Sequence, residues 1–287
     1  MDSTVNDVPR KQDADAHPLD LSPADTSLRA RILAGKAATL ARVTYFRENF
    51  GSAISRWKED GTRVTEVDET ISHELFAELA AAFPDDDYCS EESENDETER
   101  PLDAEFAWIL DPVDGTNNYA VGIPECGISL GLLRNGAPAY GFIYDNGRDL
   151  LLEGGPEFGS VEGDRKLTAA TDQFVNEKLT FCMHFPIPAD AQDKLRDALS
   201  VWRIRCPGSA AVGLANVAAG RLDGCVEYRS KPWDCAAGHA ICRGAGAEFH
   251  FLGEACFPLK VFSTTMGSFP FRVGSQLFLQ ETEKVLG

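Results

Sequence analysis

The chain has 287 residues, 43% of them hydrophobic and 25% charged, with 46 acidic against 27 basic side chains and a formal net charge of -19. That length fits two domains or one large one, and the composition excludes wholesale disorder and a coiled coil. The shortage of Lys and Arg argues against nucleic acid or an anionic membrane surface as the main partner, since both need cationic side chains to displace counterions.

Residues 1–26 are polar and acidic without periodicity and read as a mobile tail; lacking an apolar core segment, they do not read as a secretory signal. Leu28, Ile32, Leu33, Leu40, Val43 and Phe46 then recur at helical spacing, with Asp25, Thr26 or Ser27 available as N-cap. A second helix is expected just after Asp68, with Ile71, Leu75, Leu79 and Phe83 on one face and Pro84 ending it. From Asp85 to Glu99 most residues are acidic, which reads as a solvated loop. The run FAWIL (106–110) reads as a buried strand ending at Asp111. ISLGLL, APAYGFIY and LLLE, separated by turns at Arg134-Asn135-Gly136 and Asp145-Asn146-Gly147, form an antiparallel meander.

The second half alternates instead. Strands are expected at 178–185, RIRC and LDGCVEY, and helices at 190–202, 209–219 and after Asp234. The expected organisation is therefore an α+β unit over 27–170 followed by an α/β unit over 171–287, with a site at their junction. The eight cysteines are scattered with no CxxC pair, so they read as reduced, mostly buried thiols of a cytosolic protein. No stretch reaches the roughly 18 to 20 apolar residues of a membrane span.

Five acidic positions stand out by context: Asp68, Glu91, Asp111, Asp114 and Asp234. In WILDPVDGTNNY (108–119), a strand delivers Asp111, Pro112 turns the chain, and Asp114 follows three residues on. Gly115 and Thr116 come next, where a helix could begin and offer free N–H groups and a hydroxyl to a phosphate. Crowded carboxylates raise one another's pKa unless a cation lies between them, and an all-oxygen cluster suits Mg²⁺. Alone, Asp114-Gly115 reads as a turn, Asp234 as a helix N-cap, and Glu91 and Glu92 as members of the solvated run.

Their joint order changes that reading. VTEVD (64–68), SEES (90–93), DPVDGTNN (111–118), GSAA (208–211) and WDCAAG (233–238) together resemble the inositol monophosphatase family of Mg²⁺-dependent, lithium-sensitive phosphatases, over roughly residues 27–287. The resemblance implies a layered αβαβα sandwich of the inositol monophosphatase and fructose-1,6-bisphosphatase type, commonly a homodimer. It also implies that Glu91, Asp111 and the carbonyl of Val113 hold an activating Mg²⁺. By the same resemblance Asp111, Asp114 and Asp234 hold a second ion, and a third lies near Glu91 and Asp68. Asp68 and Thr116 match the pair that orients the attacking water. Gly115 and Thr116 match the phosphate cradle, and Ala210 and Glu227 the substrate side. Asn117, PEFGSVEGDRKL (156–167) and the stretch before VGSQLFLQETEKVL depart from the family pattern, mostly on the substrate side.

The expected function is a Mg²⁺-dependent phosphomonoesterase with inositol 1-phosphate as first substrate. Histidinol phosphate is the nearest alternative, with 3'-phosphoadenosine 5'-phosphate and fructose 1,6-bisphosphate further off. An aspartyl-phosphate enzyme needs two aspartates spaced by one residue, whereas Asp111 and Asp114 are spaced by two. A catalytically dead cation-binding protein would lack one of Asp68, Glu91, Asp111, Asp114, Thr116 and Asp234, yet all are present. The five histidines show no HExxH spacing, and His239 reads as a packed helix residue.

Overall fold

The computed structural model describes residues 17–58, 61–93, 96–170 and 179–286. Helix α1 spans Thr26–Asn49, capped by the Asp25 carboxylate, which accepts from the Leu28 N–H. A short hairpin of β1 (Ser55–Trp57) and β2 (Arg63–Thr65) leads into α2 (Glu66–Ala82). This helix starts before Asp68, not after it: Thr65 is the N-cap, and the Asp68 carboxylate closes a capping box by accepting from the Thr65 N–H at 2.9 Å.

The acidic run is not a plain solvated loop. It contains β3 (Asp87–Ser90), and Arg31 binds Asp86 while Arg100 binds Asp87 and Asp96, so three of its carboxylates are neutralised at partly or wholly buried positions. Arg100 itself lies on β4 (Arg100–Pro101). Strand β5 (Phe106–Asp114) runs past Asp111 to Asp114, and α3 (Thr116–Val121) follows. The meander is β6 (Gly127–Arg134), β7 (Ala137–Asp145) and β8 (Leu150–Gly155), with Asn135 and Gly136 both at positive φ as the tight turn requires. Sequence periodicity did not reveal β9 (Gly159–Glu162) and β10 (Arg165–Lys166), which extend the sheet through the departing segment. Together these strands form a seven-stranded sheet ordered β10-β9-β8-β7-β6-β5-β3, antiparallel except for the β3–β5 pair.

The expected boundary, between 170 and 171, meets the start of a stretch, 171–178, that lies outside the described residues. Beyond it come β11 (Thr180–Met183), α4 (Ala189–Leu195), β12 (Arg203–Arg205), α5 (Ala210–Ala218), β13 (Gly224–Glu227) and α6 (Pro232–Gly244). The helix expected over 190–202 breaks after Leu195 into a separate 3-10 turn, Ala198–Ser200. The chain closes with β14 (Glu248–Phe251), β15 (Val261–Phe262), β16 (Phe271–Gly274) and α7 (Gln276–Leu286). Strands β12, β11 and β13 are parallel; β16 lies antiparallel to β13, and β14, antiparallel to β16, completes the second sheet. Strand β15 pairs instead with β4.

The strands' period-two pattern sorts their side chains into the layers of an αβαβα sandwich. Trp108 and Leu110 of β5 face α1 and α2, while Ala107 and Ile109 face α5 and α6. On β11, Cys182 joins the α5–α6 side, and Phe181 and Met183 pack with α4 and α7. Helix α6 lies so close to the first sheet that a Cβ on Gly141 would come 2.3 Å from the Ala237 carbonyl oxygen, which explains bare backbone there. Residues 1–16 lie outside the described residues. Of the remaining tail, Leu19, Leu21 and Ala24 are buried against the α1 side, and His17 reaches Glu153, so 17–25 is docked, not loose. Seven of the eight cysteines are buried and Cys206 is exposed.

Candidate active site

The two sheets and the helices between them bring the acidic positions to one place. Parallel pairing of β3 with β5 sets Ser90 opposite Leu110, and the Glu91 N–H continues the ladder to the Leu110 carbonyl at 3.2 Å. Glu91 therefore emerges beside Asp111. Against β6, Asp111 pairs with Ser129 and Asp114 with Gly127, so three steps on β5 match two on β6. This bulge, not a turn at Pro112, re-aims the strand end and delivers both aspartates to the site. Gly115 then adopts a left-handed conformation (φ 86°) as the N-cap of α3, a geometry a side chain would strain.

Thr116 Oγ1 lies 2.9 Å from the Val113 carbonyl and 3.3 Å from Asp68 Oδ1. Asp68 comes from the first turn of α2, and Asp234 occupies the same third position of α6, accepting from the Lys231 N–H at 2.6 Å. Asp234 is thus not the N-cap; Lys231 is. Both carboxylates sit where helix dipoles favour negative charge. Asp114 accepts from the Ala210 N–H at 3.2 Å and from the Ala211 N–H, tying the end of β5 to the first turn of α5. The Ala210 amide, expected on the substrate side, is consequently turned toward Asp114.

These carboxylates repel. Burial pushes the Asp68 carboxyl up to about 7, against the opposing hydrogen bonds from Thr65. Burial likewise raises Glu91 to about 7; Lys58 opposes the rise, while Glu92 and Asp68 add to it. Asp111 is driven well above the carboxylate range by burial and then by the charges of Glu91, Asp114, Asp234 and Asp68. Asp234 is raised in the same way, by burial and then by Asp114. For Asp114 burial also dominates, offset by the Ala211 amide, His184 and the Ala210 amide.

Among the described residues, no group of three or more His, Cys, Asp or Glu side chains closes into a ready-made cation cage. The hydrogen bonds explain this: each carboxylate is turned partly toward a local donor, including Asp111, whose Oδ1 accepts from the Val113 N–H at 3.1 Å. The donor set is nonetheless all oxygen, buried and short of positive charge, and so suits a hard divalent cation. The sequence as a whole matches a known group: the inositol monophosphatase family covers residues 25–268.

The chain belongs to the inositol monophosphatase family.

A "Fructose-1,6-bisphosphatase/inositol-1-monophosphatase" of Aquifex aeolicus is 29% identical over 240 residues, covering 79% of this chain and 88% of that protein. An "Inositol-1-monophosphatase" of Mesorhizobium japonicum is 34% identical over 197 residues, 66% of this chain and 72% of that protein. Among solved structures, the extragenic suppressor protein suhB of Bartonella henselae superposes with a TM-score of 0.77 at 27% identity, covering 90% of this chain and 98% of that one. The chain is accordingly a phosphoric monoester hydrolase of the inositol monophosphatase fold.

Three residues near these carboxylates were given no role by the sequence reading, although Asn118 lies within DPVDGTNN. Lys58, after β1, places its ammonium 2.6 Å from Glu92 Oε1 and 3.4 Å from Glu91 Oε1. Asn118 Nδ2 donates to the carbonyls of Glu125 (2.7 Å) and Pro207 (2.6 Å), fastening α3 to the loop before α5. His184, just after β11, lies with Nδ1 2.5 Å from Glu227 Oε2. Lys58 had no local signal, because its partners are distant in sequence, and the tie from Asn118 to Pro207 was hidden for the same reason. His184 had one: it directly follows a parallel strand at its C-terminal end, where ligands gather.

Proposed function

We propose that the chain hydrolyses a small polyol phosphate, with inositol 1-phosphate first, by attack of water on phosphorus without a covalent enzyme intermediate. The observation that carries this reading is the convergence of Asp68, Glu91, Asp111, Asp114 and Asp234 around Asp111, with Thr116 within 3.3 Å of Asp68. Glu91, Asp111, the Val113 carbonyl, Asp114 and Asp234 are the groups that would hold two to three Mg²⁺ ions, which supply Lewis-acid charge and lower the pKa of bound water.

The chain's own residues divide the remaining work. Asp68, raised to about 7, is poised to accept a proton near neutral pH, and Thr116 Oγ1 beside it orients the attacking oxygen. The amides of Gly115 and Thr116, at the start of α3, receive the phosphate. Glu227 ends β13 seven residues before Asp234 and faces the leaving group. Because a phosphate monoester carries close to two negative charges, the bare acidic cluster repels it and requires the cation first. A phosphate-release assay across inositol 1-phosphate, histidinol phosphate, 3'-phosphoadenosine 5'-phosphate and fructose 1,6-bisphosphate, with Mg²⁺ and with lithium added, tests the reading. The expected result is Mg²⁺-dependent, lithium-inhibited release, greatest from inositol 1-phosphate; no release from any of the four refutes it.

A further inference from the structure

We propose that His184 is a specificity-determining residue: paired to Glu227, it occupies the carboxylate that a cation would otherwise seek in the leaving-group subsite and selects neutral hydroxylated leaving groups over cationic ones. The inference deepens the polyol-phosphate reading and rests on it.

The subsite is built by the topology. Strands β11 and β13 are parallel neighbours with Met183 opposite Val226, so the next pair along is His184 and Glu227, side by side at the carboxyl edge of the sheet. In such sheets ligands sit beyond the carboxyl ends of the strands. Helices α5 and α6 begin at the same edge, and they carry the amides that hold Asp114 and the Asp234 carboxylate. The pair thus borders the acidic cluster, and the His184 charge is felt at Asp114.

Glu227 is already well supplied with donors. Its Oε1 accepts from the N–H groups of Tyr228 and Arg229, both at 2.9 Å, and its Oε2 faces His184 Nδ1 at 2.5 Å. An ionised carboxylate offers about four lone-pair positions, so one remains for a substrate hydroxyl. His184 is held in place on its other side. Its Nε2 lies 3.8 Å from Cys182 Sγ, and a Cβ on Gly213 of α5 would come 3.6 Å from its Cε1. Burial opposes the protonated ring, but Cys182 and Glu227 outweigh it and raise the imidazole to about 11, so the ring is an imidazolium at neutral pH. Side-chain exposures of 14% and 6% leave the pair at the edge of solvent, screened from bulk water yet within reach of a ligand.

A bare Glu227 would accept either a hydroxyl or an ammonium. With the imidazolium beside it, a polyol still finds an acceptor, whereas an ammonium finds the carboxylate already paired and meets a like charge, because Cys182, the ring's other partner, is buried on its far side. This separates inositol 1-phosphate from histidinol phosphate, which a carboxylate at position 227 alone does not.

The test compares kcat/KM for inositol 1-phosphate and histidinol phosphate at saturating Mg²⁺ in the wild type, His184→Gln and Glu227→Gln, with folding checked by circular dichroism. The wild type should favour inositol 1-phosphate. In His184→Gln the ratio should fall about tenfold or more, chiefly through a lower KM for histidinol phosphate. In Glu227→Gln, where the imidazolium loses its partner on the substrate side, the ratio should move the other way. Opposite movements distinguish charge selection from simple loss of packing, and the second variant decides the matter if the first fails to fold. A ratio unchanged or raised in folded His184→Gln, or lowered in Glu227→Gln, overturns the inference while leaving the phosphatase reading intact. Failure of the wild type to hydrolyse any phosphomonoester with Mg²⁺, p-nitrophenyl phosphate included, overturns the reading itself and the inference with it.

Discussion

Raising the pH from 5 to 8 in the presence and absence of Mg²⁺ should expose the repulsion stored in the acidic cluster. Glu91 is raised from 4.5 to about 7 in the folded chain. A carboxylate whose folded pKa lies above its unfolded value binds more protons in the native state between those two values. Metal-free stability therefore falls as pH climbs from about 4.5 to about 7. At about 1.4 kcal/mol per unit, the shift is worth on the order of 3 kcal/mol for this group. With an unfolding entropy of about 2.1 cal/mol/K per residue, a chain of this size loses about 5 °C in Tm for that cost. Cation binding demands the ionised form, so at pH 5 the apparent Mg²⁺ affinity should be about 100-fold weaker than at pH 8 for one obligatory proton, and weaker still as Asp111 and Asp234 contribute. The assay is differential scanning fluorimetry with EDTA or Mg²⁺ across that range, backed by calorimetric titration. The Tm increment given by Mg²⁺ is the quantity to follow, because His239, lowered to about 4 by burial, affects both arms equally. An increment that is the same at pH 5 and pH 8, or that shrinks as pH rises, refutes the reasoning.

Asp111→Asn should abolish Mg²⁺-dependent turnover while leaving Tm in EDTA close to that of the wild type, since the amide oxygen keeps the Val113 hydrogen bond and the buried Asp111 carboxyl, driven well above the carboxylate range, is already uncharged without a cation; retained turnover in a phosphate-release assay contradicts the assignment. Gly141→Ala drives a methyl to within 2.3 Å of the Ala237 carbonyl oxygen and should destabilise by about 1 to 3 kcal/mol in urea melts, with no loss expected at an ordinary surface glycine. Asn118→Ala leaves the Glu125 and Pro207 carbonyls without their donor, which should cost about 1 to 3 kcal/mol and raise KM for the phosphate substrate more than it lowers kcat; a kcat effect alone would contradict its role in fastening α3 to the loop before α5.

The family, the two-part order of elements and the acidic positions are all legible in the linear sequence. Helix faces repeat every 3.6 residues, the Asn135-Gly136 turn declares its hairpin, and DPVDGT and WDCAAG carry their chemistry within a few residues. Local spacing suffices wherever the cause is local. The bulge between Asp111 and Asp114 was not legible, because it exists only relative to the register of β6. The same holds for β3 inside the acidic run, whose parallel partner lies beyond it in sequence and whose charge is answered by Arg31 and Arg100. The docking of residues 17–25 likewise depends on Glu153, more than a hundred residues away.

By itself, then, the sequence determined which groups carry charge and in what order: Asp68, Glu91, Asp111, Asp114, Glu227 and Asp234. Only the tertiary structure decided what those charges are worth. Burial and mutual proximity raise Asp111 and Asp234, and the pairing of β11 with β13 brings His184 against Glu227. Charge is a property of a residue, but its energy depends on distance and dielectric, and those are set only when remote segments pack together.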